Sequence, residues 1–111
     1  MDSDAIILAL GALAQPTRLD TFRLLVRHEP GGMAAGEIAR LLAVPQNTLS
    51  AHLAILARAG LVSSERQGRS ILYRADLACV RALTVALVKD CCGGCPELCA
   101  PLVAELSPVC C

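Results

Sequence analysis

Four thiols fall within nine residues, Cys91, Cys92, Cys95 and Cys99, in the run CCGGCPELC. Cys110 and Cys111 follow at the end, and only Cys79 precedes the cluster. A disulfide framework spreads its cysteines so as to tie distant segments together; this cluster is local. The first residues, Met-Asp-Ser-Asp, are acidic where an export signal needs positive charge, and the apolar run from Ala5 to Ala14 is too short to cross a bilayer. The expected setting is the reducing cytoplasm, away from membranes, where such a cluster reads as metal-binding or redox chemistry.

The spacing can bring these thiols together. Cys91 and Cys92 end a helix, about 100° apart around its axis. Gly93-Gly94 permits a chain reversal, Pro96 can open a new helical turn, and Cys99 then returns toward the pair. Cys95 would lie near a helix N-terminus, which lowers a thiol pKa. Four thiolates suit zinc or cadmium, whereas vicinal thiols can close a disulfide or trap sulfane sulfur. An enzymatic nucleophile would need a nearby base. The only histidines, His28 and His52, belong to other helices, and no phosphate-cradling glycine loop is present. An enzyme is not expected.

The elements that must position this cluster follow from periodicity and punctuation. A first helix over 4–13 is apolar on most sides, as a helix buried between subunits would be. Pro16 opens a second helix with Leu19, Phe22, Leu25 and Val26 at helical spacing, ended by Pro30-Gly31-Gly32. A short third helix over 35–42 turns Ile38, Leu41 and Leu42 inward. Ala43-Val44-Pro45 leads into a fourth helix from Gln46 to Ala59, stopped by Gly60. Residues 61–75 form a hairpin with Gln67-Gly68 at its tip. Asp76 caps a fifth helix with Leu77, Val80, Leu83, Leu87 and Val88 on one face. This order predicts a mainly α, winged helix-turn-helix fold with a two-stranded β-hairpin wing. The domain reading is 1–90 for the winged helix and 91–111 for a cysteine-rich tail.

Composition adds a partner. Of 111 residues 55% are apolar and only Phe22 and Tyr73 are aromatic, more aliphatic surface than one small core hides. A homodimer with an apolar helical interface resolves this. The net charge is zero, but residues 45–75 carry a local +3 and residues 76–111 a local −2. On the fourth helix Leu49, Leu53 and Leu56 share one face, with Asn47, Ala51, Ala54 and Arg58 opposite. Small residues there let the backbone approach a groove, and Gln46, Asn47, Thr48 and Ser50 can reach bases or phosphates. His52 lies toward the buried flank. Arg66 and Arg69 flank the hairpin tip, where they suit phosphates or a minor groove.

Three pieces, PTRL at 16–19, LSAHLAILARAGLV at 49–62 and QGRSILY at 67–73, give residues 5 to about 90 a resemblance to the ArsR/SmtB repressors. These are small dimeric winged-helix metal sensors that release operator DNA when an inducer ion binds. The resemblance implies DNA contacts at Asn47, Thr48, Ser50, His52 and Arg69, and a dimer interface from the first and fifth helices. It also sorts the sensor sites. One arsenic-sensing type of the family carries cysteines on the third helix, and the zinc-sensing type carries carboxylates and histidines on the fifth. Here the third helix has no cysteine and no histidine follows Asp76, so neither pattern is present. CCGGCPELC looks like the arsenical sensors that hold the ion after the fifth helix. Trivalent arsenic, As(III), and antimony, Sb(III), are soft and take three thiolates in a pyramid. The resemblance favours Cys91, Cys92 and Cys99. Cys95 departs from that pattern and leaves room for a four-thiolate zinc or cadmium shell, and a redox or sulfide sensor is the remaining alternative. Cys110-Cys111 reads as a frayed end or an accessory capture pair, and Cys79 as a small buried residue.

Overall fold

Side chains cap three of the helices. The computed structural model describes residues 1–93 and 96–106, with nothing described of the side chains at 91, 92, 96, 98 and 99. α1 (Ser3–Leu13) is capped by Asp2, whose Oδ1 accepts from the Ala5 amide at 2.8 Å. α2 (Pro16–Arg27) is capped by Gln15, whose Oε1 accepts from the Arg18 amide at 2.8 Å, with Pro16 in the first turn. α5 (Leu77–Cys92) is capped by Asp76 through the Cys79 amide at 3.1 Å. Each cap satisfies an amide that has no partner within its helix. Between them lie β1 (Met33–Ala34), α3 (Ala35–Leu42), α4 (Gln46–Arg58), β2 (Val62–Gln67) and β3 (Ser70–Ala75), and α6 (Pro96–Leu106) follows.

The predicted helices are all present, and the hairpin is a wing. The sheet, however, has three strands in the antiparallel order β1-β3-β2. β1 escaped the sequence reading because two residues carry no period; it forms because Met33 meets Tyr73 and Ala34 meets Leu72. The wing turn is also displaced by one residue. Gln67 pairs with Ser70, so the turn is Gly68-Arg69, with Gly68 at φ 62°. Glycine at the first central position of a two-residue loop matches the strand twist. Arg69 therefore stands in the turn itself.

The core is aliphatic. Leu25, Met33, Ile38, Leu49, Leu53, Leu56 and Leu61 are fully buried, and α4 contributes Leu49, Leu53 and Leu56 as predicted. On α3 the inward side is Ile38 and Ala39 with Leu42 half-buried, while Leu41 is 48% exposed. Leu41 lies about 60° from Ile38, on the side away from Ala39. α1 buries only Ala9 and Ala12, and leaves Ile7, Leu8 and Leu10 uncovered. On α5 Leu83 is buried, but Leu77, Val85 and Leu87 are exposed. Two neighbouring helices thus present aliphatic side chains that a single chain does not cover. Among the described residues no helix is long and apolar enough to cross a membrane.

Candidate nucleic-acid interface and thiol segment

α4 begins behind Pro45, which offers no side-chain cap. Gln46, Asn47, Thr48 and Ser50 are all exposed around this end. Asn47 folds back, its Oδ1 accepting from the Thr48 amide at 2.9 Å. Ala51, Ala54 and Arg58 are exposed on the face opposite the buried leucines. Arg58 stands about 16 Å along the axis from Asn47, at the far end of the helix.

The start of α4 does not stand alone. Gln46 and Ser50 share a hollow of about 350 Å³ with Gly36, Arg69, Ser70 and Tyr73. The beginning of α3, the beginning of α4 and the wing converge there, so amide, hydroxyl and guanidinium donors face one opening. Gly36, Ser70 and Tyr73 are not among the contact residues expected from the sequence. Gly36 faces the Gln46 side chain, and a Cβ there would make ordinary contact with Gln46 Oε1 at 3.4 Å. Arg66 is exposed on β2, opposite Ile71.

Two other residues of the basic stretch are engaged inside the protein. Arg74 forms an ion pair with Glu29, at 2.7 Å from Nη2 to Oε2. That hydrogen bond and the neighbouring charge push the guanidinium further above its usual range. The local positive charge open to a partner is therefore smaller than the sequence count. His52 is half-buried and its Nδ1 lies 3.3 Å from Arg18 Nη1.

Cys79 is half-buried, its Sγ 3.9 Å from the Ala59 carbonyl. Burial, and then the charge of Asp76, push its thiol pKa up, which makes it a packed thiol rather than an activated one. Cys91 and Cys92 are the last two residues of α5, which runs past residue 90 and stops at Gly93, left-handed at φ 56°. Cys99 lies on α6, and α6 contacts α5. The side chains of Cys91, Cys92 and Cys99 lie outside the described set, as do Cys95, Cys110 and Cys111 altogether. Among the described residues no three His, Cys, Asp or Glu side chains converge as metal ligands.

A helix-turn-helix domain family model matches residues 13–65. The chain is 40% identical over 65 residues to the HTH-type transcriptional repressor SmtB of Mycobacterium tuberculosis, which covers 59% of this chain but 46% of that protein. It thus spans about half the length of that relative. It is 30% identical to the transcriptional activator HlyU of Vibrio cholerae over 74% of this chain and 73% of that protein. Among solved structures it is similar to the homodimeric winged helix-turn-helix DNA-binding domain of Mb0332 from Mycobacterium bovis, described as a possible ArsR-family regulator, with a TM-score of 0.65, 30% identity and 77% of each chain covered. The fold is shared almost end to end with an ArsR-like regulator from Rhodococcus, with a TM-score of 0.69, 24% identity, and 96% and 90% coverage. These relatives are regulators of transcription rather than enzymes. Shared fold, shared helix-turn-helix sequence and shared wing place the chain in the ArsR/SmtB family of winged helix-turn-helix transcriptional regulators.

Proposed function

We propose that the chain is a cytoplasmic, homodimeric repressor that holds operator DNA through α4 and the wing, and lets go when trivalent arsenic binds Cys91, Cys92 and Cys99. Residues 1–90 serve DNA binding and dimerisation, and residues 91–111 capture the inducer. Antimonite shares the required chemistry. One observation carries the reading: two thiol-bearing residues end α5, and the next helix, which bears Cys99, contacts α5. The donor set supports a soft ion, since it is thiolate without imidazole. The uncovered aliphatic faces of α1 and α5 support the dimer, and the likeness to SmtB supports repression.

The energies are adequate. Ordering a residue costs about 1–2 kcal/mol, and a thiolate-rich site can return on the order of 10–16 kcal/mol. An ion could therefore hold a segment the length of CCGGCPELC in a single arrangement. α1 and α5 are in contact, a route by which a change at the end of α5 would reach the proposed dimer surface. Two recognition helices must keep a half-site spacing of about 34–36 Å, and a coupling of about 1–3 kcal/mol suffices to disturb it.

The test is operator binding titrated with arsenite. Wild type should release DNA, and the triple serine variant at 91, 92 and 99 should not. X-ray absorption with arsenite bound should find three sulfurs and no lighter donor, unchanged in Cys95→Ser. Unaltered DNA affinity at saturating arsenite overturns the proposal. A second reading, thiol oxidation or sulfide sensing, draws on the adjacent pair Cys91-Cys92 and on the similarity to HlyU, solved in a form described as reduced (26% identity, TM-score 0.61). Oxidant-sensitive, arsenite-insensitive release would favour it. A fourth sulfur from Cys95, with zinc or cadmium as the effective ion, would mark a divalent-metal sensor.

A further inference from the structure

Arg18 makes three connections at once. Its amide closes the cap with Gln15 at the start of α2. Its Nε donates to the carbonyl of Ala12, in the last turn of α1, at 2.6 Å. Its Nη1 lies 3.3 Å from Nδ1 of His52, in the middle of α4 and 34 positions away. A guanidinium has only donors, so a hydrogen bond to Nδ1 requires a lone pair there. The contact therefore calls for the tautomer of His52 that carries its proton on Nε2 and leaves Nδ1 as the acceptor.

We propose that Arg18 is a positioning residue for the recognition helix, fixing the tautomer of His52 and joining α4 to α1. The inference rests on the DNA-binding reading above. Arg18 sits between α1, whose aliphatic side is uncovered, and α4, whose opposite face is open to a groove. α1 also contacts α5, the helix that ends in Cys91-Cys92. A shift of α1 thus pulls on the bridge at Ala12, and the bridge transmits it to His52. Lysine at 18 would keep the charge, but its single ammonium cannot reproduce the fork that spans both acceptors.

The test has two arms. In the free protein at about pH 8, above the ordinary imidazole range, ¹⁵N-resolved NMR should show an unprotonated Nδ1 and a protonated Nε2 on His52. In Arg18→Lys the two tautomers should mix. In the second arm a duplex selected by wild type from a random-sequence pool is bound by Arg18→Lys, His52→Asn and the double variant. Contacting residues couple, so the losses of affinity should be non-additive by at least about twofold, and Arg18→Lys should show a smaller arsenite response than wild type. His52→Asn gives the cycle a member with the Arg18 side of the bridge intact. A protonated Nδ1 in wild type, or additive losses, overturns the inference. Failure to select any duplex sinks the DNA-binding reading instead, and the tautomer measurement then decides the inference alone.

Discussion

Glu29 and Arg74 lie 45 positions apart and meet in a two-pronged ion pair, Nη2 to Oε2 at 2.7 Å and Nε to Oε1 at 3.2 Å. The pair fastens the segment after α2 to the last part of β3. Arg74→Gln strands a largely buried carboxylate. Amides of β2 and β3 should then exchange several-fold faster with deuterium while those of α1 are unchanged. DNA affinity should fall less than in Arg69→Ala, because Arg74 is already spoken for.

Arg69 occupies the wing turn and shares a hollow with Gln46 and Ser50. A phosphate contact there is worth one released counterion. Arg69→Ala should flatten the plot of log affinity against log salt by about 0.9 for each protomer's lost contact. Fluorescence anisotropy over a salt series reads this directly, and sequence preference should stay as it was.

Leu53 and Ala54 are neighbours on α4 with opposite exposures, 1% for Leu53 and solvent-facing for Ala54. Leu53→Ala should cost about 2–5 kcal/mol in urea unfolding, from lost burial and a cavity. Ala54→Glu should move stability by no more than about 0.5 kcal/mol and yet remove DNA binding, because it sets a carboxylate against phosphate.

The thiol of Cys79 titrates above its ordinary value, first from burial and then from Asp76. Its folded value is raised, so its contribution to stability is intact below the unfolded thiol pKa and is lost as pH rises through the folded value. Under reducing conditions wild type should lose more stability than Cys79→Ala between about pH 8 and pH 10. Iodoacetamide should label Cys79 slowly near neutrality, by mass spectrometry, until denaturant is added.

Much of this was legible in the residues. Pro16, Gly60, Gly68 and Asp76 mark real boundaries because each satisfies a local backbone requirement that needs no tertiary partner. The leucine period of α4 revealed its buried and open faces. What escaped depends on distant contact. β1 exists only because β3 lies beside it. The Arg18–His52 and Glu29–Arg74 pairings join positions that no local pattern relates. The hollow at Gly36 needs three elements in place. The thiol cluster was visible in the composition, whereas its side chains lie outside the described residues.

β1 runs straight into α3, Ala34 preceding Ala35, while its backbone pairs with β3 of the wing. Each protomer is in effect a stamp cut from one block, with the gap between wing and recognition helix preset by the sheet. On the proposed function, an inducer's signal would act on how two such stamps are aligned and, through the bridge at Arg18, on the helix each one presses forward, while the block formed by α3 and the wing keeps its shape.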